Sequence, residues 1–315
     1  MLAPLAESDE IGPMYHLGKA SLDLYPSFLE QLNFDSEIEV VLEGPGLLRL
    51  VFTGAEADSF RRLAESRGGK NLQVEWLDAA QLEDLQPNID QGVLGGIRSS
   101  REQHVNPRRL MQALQRACER QRVSFMEGIH ADRASQAINL DIKTIYAAGA
   151  WTGELLASKG VHVPVRPVKG QVVMLQQPSH DLRYTLYGAG SYLVPRDDGS
   201  VLVGATSEEA GFDERITDEA IEALLEKAVD LYPPAKEFTF TDTWASLRPG
   251  TPDDMPVMGR LPTLGNAYVA SGHYRNGILL APITAKLMAE LVINGKEPEM
   301  LAPFSPARFA EAGVA

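Results

Sequence analysis

Two stretches of this chain run from an apolar strand through a glycine into a helix, and a block dense in short strands lies between them. The first is Thr144–Trp151, read as a buried strand entering a glycine turn, with a helix from Thr152 to about Lys159. The second is a strand at Ala267–Ala270, then a polar loop, then a helix from about Gly277 to Ile293. Between them Val172–Gln176, Tyr192–Arg196, Val201–Ala205 and Phe238–Thr243 read as strands, with Asp197-Asp198-Gly199 as a hairpin turn. One helix, roughly Asp218–Leu231, interrupts this block and is stopped by Pro233-Pro234. Strand–turn–helix units build α/β layers, whereas closely spaced strands with turn residues build antiparallel sheet. The pattern therefore predicts two interleaved domains rather than two consecutive ones.

The N-terminal half adds a helix from Gly18 to about Leu32 and a helical segment over 55–70. Ile38–Glu43 and Leu47–Phe52 flank Gly44-Pro45-Gly46 and predict a β-hairpin. Asn106-Pro107 predicts a helix start, since asparagine caps and proline suits the first helical position. Leu110, Leu114, Ala117 and Cys118 then fall on one helical face, which reads the single cysteine as core filler. A strand is expected at Val123–Met126.

Charge removes several function classes. The 29 basic against 43 acidic residues leave a net charge of -14, which repels phosphate backbones and anionic lipid, so neither nucleic acid nor membrane is an expected partner. The most apolar run, Gly277–Asn294, carries Lys286 and Glu290 and is read as too interrupted to span a bilayer. The opening residues lack a basic region followed by an apolar core, so no secretory signal is expected and the cytoplasm is the expected compartment. Six scattered histidines and one cysteine offer no metal-ligand spacing, and no metal is expected. No nucleophile elbow, phosphate-binding Gly-Lys-Ser/Thr loop or complete Gly-x-Gly-x-x-Gly occurs.

Two arginine segments carry the chemistry that remains. Trp244-Ala245-Ser246-Leu247-Arg248-Pro249-Gly250-Thr251 places an arginine at the end of a strand, where its planar fork can take a carboxylate. From spacing alone a structural pairing with Asp253 or Asp254 is the better account. Ser271-Gly272-His273-Tyr274-Arg275-Asn276-Gly277 opens directly into an apolar helix. The N–H groups and positive dipole end there stabilise an anion, such as the N1–C2=O edge of a reduced flavin. An ordinary capped turn accounts for the segment equally well on local grounds.

Taken in order, Pro107-Arg108-Arg109-Leu110, Ala147–Trp151, Val165–Gln171, Tyr192–Arg196, Val203–Thr206, Leu247–Thr251 and Gly272–Pro282 resemble the glycine oxidases. These are FAD-dependent members of the D-amino acid oxidase-like family that serve thiamine biosynthesis. The resemblance implies that Arg248 holds the substrate carboxylate, Tyr192 assists it, and Arg275 stands near the active site. Ser207 falls at a variable pocket position. The resemblance also implies FAD contacts from Met1, Leu2, Ala148, Gly149, Gly272, His273, Arg275, Asn276, Gly277, Ile278 and Leu279. The substrate hydrogen leaves as hydride to the flavin in this family, so no dedicated protein base is expected.

The implied fold is α/β plus α+β, an incomplete FAD-binding Rossmann-like domain interleaved with a mostly antiparallel-sheet substrate domain. The expected division gives 1–17, 96–165 and 252–315 to the first and 18–95 and 166–251 to the second. The family begins with a strand, glycine turn and helix of about 30 residues that neutralises the FAD diphosphate. Met1-Leu2-Ala3-Pro4 resembles the segment just after it, and Glu127–Ile142 stands where a longer β excursion is usual. The chain alone is accordingly not expected to hold FAD tightly. The implied activity is oxidative deamination of glycine or another small amino acid. The alternative is a truncated non-enzymatic remnant or subunit that binds amino acid but not flavin alone. The sequence leaves the oligomeric state open, a homo-oligomer included.

Overall fold

The computed structural model describes residues 1–5, 12–67, 74–130 and 142–309. Two sheets divide the strands. The larger has eight, in the order β2-β3-β1-β6-β7-β8-β5-β9. Its members are β1 (Leu47–Val51), β2 (Val74–Asp78), β3 (Gly95–Ser99), β5 (Arg166–Gln176), β6 (Thr185–Gly188), β7 (Ser191–Pro195), β8 (Ser200–Gly204) and β9 (Thr239–Gly250). All its pairings are antiparallel except β1 with β6. The smaller sheet runs β10 (Val257–Leu261), β11 (Ala267–Ser271), β4 (Thr144–Tyr146), and β11 and β4 lie parallel. The fold is thus mixed α/β with a large, mostly antiparallel sheet.

The long pair β5–β9 is the centre of the functional half. It runs in register from Arg166 opposite Gly250 to Gln176 opposite Thr239, with one irregularity at Met174/Leu175. β7 and β8 form the expected hairpin: Gly199 takes φ +80°, Asp198 accepts from the Ser200 N–H at 2.9 Å, and Arg196 N–H donates to Ser200 O at 2.8 Å. One face of this sheet is covered by α6 (Asp218–Leu231), whose Leu224, Ala228 and Leu231 pack on Leu186, Leu193, Val201 and Val203.

Shorter helices α2 (Gly54–Arg67), α3 (Ala79–Leu85) and α5 (Thr152–Ala157) connect the strands, and a helical layer backs the smaller sheet. Helix α1 (Pro13–Ser36) packs on α4 (Pro107–Arg120) and α7 (Gly277–Asn294), with Leu17, Tyr25, Leu29, Leu279, Leu280 and Ile283 in one apolar core. Asn106 caps α4, accepting from the N–H groups of Arg108 and Arg109 at 3.1 Å each. Cys118 is free and half-buried at the rim of that layer rather than deep in it.

Helix α7 contains Pro282, which lacks the N–H that would meet the Ile278 carbonyl. The Tyr25 hydroxyl supplies the missing donor, and the Ser21 hydroxyl donates to the neighbouring Leu279 carbonyl at 2.6 Å. Two side chains of α1 therefore fix the first turn of α7.

Several expectations need correction. Ile38–Glu43 is not a strand of a hairpin with β1: the Asn33 side chain bonds both the N–H and the carbonyl of Val40, and Glu43 bridges to His104 instead. Gly46, at φ +125°, packs so closely on Ser99 and Ser100 that β1 is steered onto β3. Val123–Met126 forms no strand, and Val123, Phe125 and Met126 are exposed. The expected boundary at 17/18 falls inside α1, and that helix packs with α7 on the side of the smaller sheet. The boundary at 95/96 likewise falls inside β3, a member of the large sheet. By length and composition the helix Tyr274–Asn294 is apolar enough to cross a membrane, contrary to the reading of its two charges; here one side of it is buried in the core. Residues 68–70 of the expected second helix and most of Glu127–Ile142 lie outside the described residues.

Candidate active site

A cleft of about 240 Å³ opens between the large sheet and the start of α7. Tyr192 and Val194 reach it from alternate positions of β7, as the two-residue period of a strand requires, and Arg196 continues the alternation just past the strand's end. Arg248 enters from β9, and Arg275, Asn276 and Ile278 line the opposite wall.

Arg248 is half-buried, and its guanidinium lies flat over Gly170 of the facing strand. A Cβ at Gly170 would come within 2.2 Å of both terminal nitrogens, so only glycine leaves room. Arg248 Nη1 donates to the Thr206 carbonyl at 2.9 Å and to the Lys169 carbonyl at 3.4 Å. No carboxylate pairs with Arg248 among the described residues. Asp253, the acid that spacing suggests, is taken by Arg308, whose Nε and Nη2 lie 2.7 and 3.1 Å from its two oxygens. A positioned fork with no anionic partner is what carboxylate capture needs.

The expected partners gather around this arginine unevenly. Tyr192 packs its hydroxyl end against Gly204 and lines the cleft. The Ser207 hydroxyl meets the Tyr274 hydroxyl at 2.9 Å on the rim, and Arg275 lies 5.1 Å from the Tyr274 ring centre. Met1 lines the cleft, whereas Leu2 is fully buried and donates its N–H to Gln103 O at 2.8 Å. Gly149 and Gly272, both at positive φ, sit at the ends of the paired strands β4 and β11. The Ser271 hydroxyl ties them, donating to Gly149 O at 3.0 Å, while Ala148 is half-buried beside it. The His273 ring does not reach the cleft: it bonds Thr284 Oγ1 at 3.0 Å within α7, and burial pushes its pKa down to about 4. Gly277 is exposed and Leu279 buried, so of the helix start only Arg275, Asn276 and Ile278 line the cleft.

The residues at this end suit a flavin ring. Neither His273 nor Asn276 caps its helical turn with a side chain, so main-chain donors and the positive dipole end remain for an anionic ring edge. Arg275 adds a cation on the same wall. For the diphosphate, the sequence supplies no complete Gly-x-Gly-x-x-Gly turn.

The sequence reading does not single out His104 and Arg196, which close the far end of the cleft. The His104 ring is almost wholly buried, with Nε2 3.6 Å from Glu43 Oε2. The alternation that places Tyr192 on the cleft also places Arg196 there, so its signal was present; His104 depends on a bridge to Glu43 that no local pattern announces.

The chain belongs to the FAD dependent oxidoreductase family, whose profile matches residues 1–291. It is 35% identical, over 98% of its length, to the bifunctional protein ThiO/ThiG of Synechocystis sp., and covers 47% of that protein. The chain thus spans about half the length of such bifunctional relatives. It is 31% identical to the glycine oxidase of Geobacillus kaustophilus over 98% of this chain and 85% of that one. The crystal structure of a glycine oxidase from that organism superposes with a TM-score of 0.88, covering 97% of this chain and 86% of that one.

Proposed function

We propose that this chain oxidises a small amino acid, glycine foremost, with FAD as the electron acceptor. The observation that carries the reading is Arg248: half-buried, seated on Gly170, held by two carbonyls and unpaired with any described acid. A substrate carboxylate completes its hydrogen bonding and turns the α-carbon toward the wall formed by Arg275, Asn276 and Ile278. Tyr192, on the same sheet face, stands beside that carboxylate. FAD, with its ring held against Arg275, Asn276 and Ile278, would supply the two-electron acceptor for the α-hydrogen, with oxygen as the final oxidant. The substrate leaves as an imine, and water converts it to the 2-oxo acid and ammonia.

The chain's own contribution is orientation and charge. Arg248 neutralises the carboxylate, and Arg275 with the start of α7 stabilises negative charge on the ring side. Hydride transfer asks for no acid–base pair of the kind hydrolases use. The relatives named glycine oxidase and ThiO/ThiG support a small substrate and a place in thiamine biosynthesis, with a ThiG-like protein as partner. The test is anaerobic mixing of the FAD-loaded protein with glycine, sarcosine, proline and D-alanine. Bleaching of the flavin by glycine, followed by ammonia release in air, is expected. A flavin that none of the four reduces overturns the proposal.

A further inference from the structure

Lys169 is a charged residue without a part in this chemistry, yet only 3% of its side chain is exposed. It sits in β5 next to Gly170, and neighbouring residues of a strand face opposite ways. Its ammonium therefore lies on the other side of the sheet from the Arg248 guanidinium. A buried ammonium is unfavourable unless paired, and Glu208 Oε2 pairs it at 3.3 Å. Burial pushes the Glu208 carboxyl up, but hydrogen bonds from Thr206, Gln171 and Lys169 outweigh that and hold it below the usual carboxylate range.

The same contacts tie a short segment of chain to β5. Lys169 and Glu208 exchange two main-chain hydrogen bonds of 2.9 Å each. Gln171 N–H donates to Thr206 Oγ1 at 2.8 Å, Thr206 N–H donates to Gln171 O at 3.1 Å, and Gln171 Nε2 donates to Glu208 Oε1 at 2.9 Å. The Thr206 hydroxyl donates to Glu208 as well. The carbonyl that this network immobilises, Thr206 O, is the closer acceptor for Arg248, and the second acceptor is the carbonyl of Lys169 itself.

We propose that the Lys169–Glu208 pair is a positioning device for the carboxylate clamp. The pair fixes the Thr206 carbonyl, that carbonyl sets the roll of the Arg248 guanidinium, and the remaining N–H groups are thereby aimed into the cleft. Neither Lys169 nor Glu208 touches substrate. The inference rests on the reading that Arg248 takes the substrate carboxylate.

Acetate, a carboxylate without an amine, isolates the clamp. Its affinity for the full chain is measured by calorimetry in the unaltered protein and in Lys169→Met, Glu208→Gln and Arg248→Ala, with KM and kcat for glycine followed in the FAD-loaded forms. Lys169→Met and Glu208→Gln should each weaken acetate about tenfold, the worth of one well-aimed hydrogen bond, and raise KM to match while kcat stays within about twofold. Lys169→Arg should recover part of the loss. Acetate affinity and KM unchanged in both variants, with binding lost in Arg248→Ala, overturns the positioning role and leaves the clamp standing. A fall in kcat at constant KM overturns it too. Acetate that fails to bind the unaltered chain, or binds Arg248→Ala equally well, overturns the clamp itself. Glu208 is 33% exposed, so Glu208→Gln decides the matter should Lys169→Met not fold.

Discussion

The two walls of the cleft are made by different means. The sheet wall draws its geometry from long-range strand pairing: Arg248 stands opposite Val168, and Tyr192 opposite Gly204, in a ladder shared by four strands. The helix wall has no ladder. Its position comes from α1, whose Tyr25 and Ser21 hold the first carbonyls of α7, and from the Ser271 bridge to Gly149. A side chain on the sheet wall can be changed with the backbone left in place. On the helix wall, position is carried by a few side-chain bonds, and changes there reach the fold.

That contrast is open to measurement. Arg248→Ala, on the sheet wall, should weaken carboxylate binding by about 2–5 kcal/mol, the loss expected for a desolvated charge pair, with an unchanged thermal midpoint. Arg248→Lys should restore only part, because an ammonium lacks the fork. A comparable loss of stability in Arg248→Ala would erase the distinction between the walls.

Gly170→Ala tests the same wall through the backbone. The new methyl must displace the guanidinium or shift the strand, at a cost of about 1–3 kcal/mol. Binding of acetate should fall while the melting temperature drops by only a few degrees. Binding equal to that of the unaltered protein would show that Arg248 does not need its seat.

On the helix wall, His273 should report on stability instead. Burial of its ring holds the folded-state pKa near 4, below the 6.5 of an exposed imidazole. The unfolded chain takes up the proton first as pH falls, so this contribution is complete above about pH 6.5, declines toward pH 4 and is flat below it. Its size is about 2 kcal/mol, allowing for partial exposure of the residue. Urea midpoints at pH 7, 5.5 and 4 should fall less steeply in His273→Gln, and parallel curves would refute the assignment.

The smallest effect is expected at Tyr192. Tyr192→Phe should weaken acetate by about 0.5–1.5 kcal/mol, one neutral hydrogen bond, with kcat nearly preserved. A loss of acetate affinity as large as that of Arg248→Ala would make the hydroxyl a principal holder of the carboxylate rather than an assistant.

Much of the sheet wall is legible in the sequence because its signals are local. Asp197-Asp198-Gly199 marks the β7–β8 turn, the alternation along Tyr192–Arg196 marks a face, and Leu247-Arg248-Pro249-Gly250 marks a strand end. What is not legible depends on partners far along the chain. Spacing favours Asp253 as the mate of Arg248, and only the fold brings in Arg308, 55 residues away, to claim it. The expected hairpin at 38–52 has good turn residues, but Asn33 occupies the backbone of Val40, and β3, too rich in glycine to read as a strand, takes the edge of β1. His273 stands in the loop as a cleft candidate, and its direction is decided by Thr284, two turns into α7 and beyond what a loop reading covers.

Pro282 and Tyr25 lie 257 positions apart and form one unit. A proline at 282 leaves the Ile278 carbonyl with no amide to meet, and the hydroxyl of Tyr25 answers it. Each residue is therefore tolerable only given the other's chemistry. A chain that replaces Tyr25 with phenylalanine orphans a carbonyl at the lip of the cleft, while one that also replaces Pro282 with alanine supplies the amide and makes the hydroxyl redundant. In a set of related sequences the two positions should change together. In a double-mutant cycle the second substitution should offset the first, an exchange between a side-chain donor and a main-chain one at the point where the helix meets the cleft.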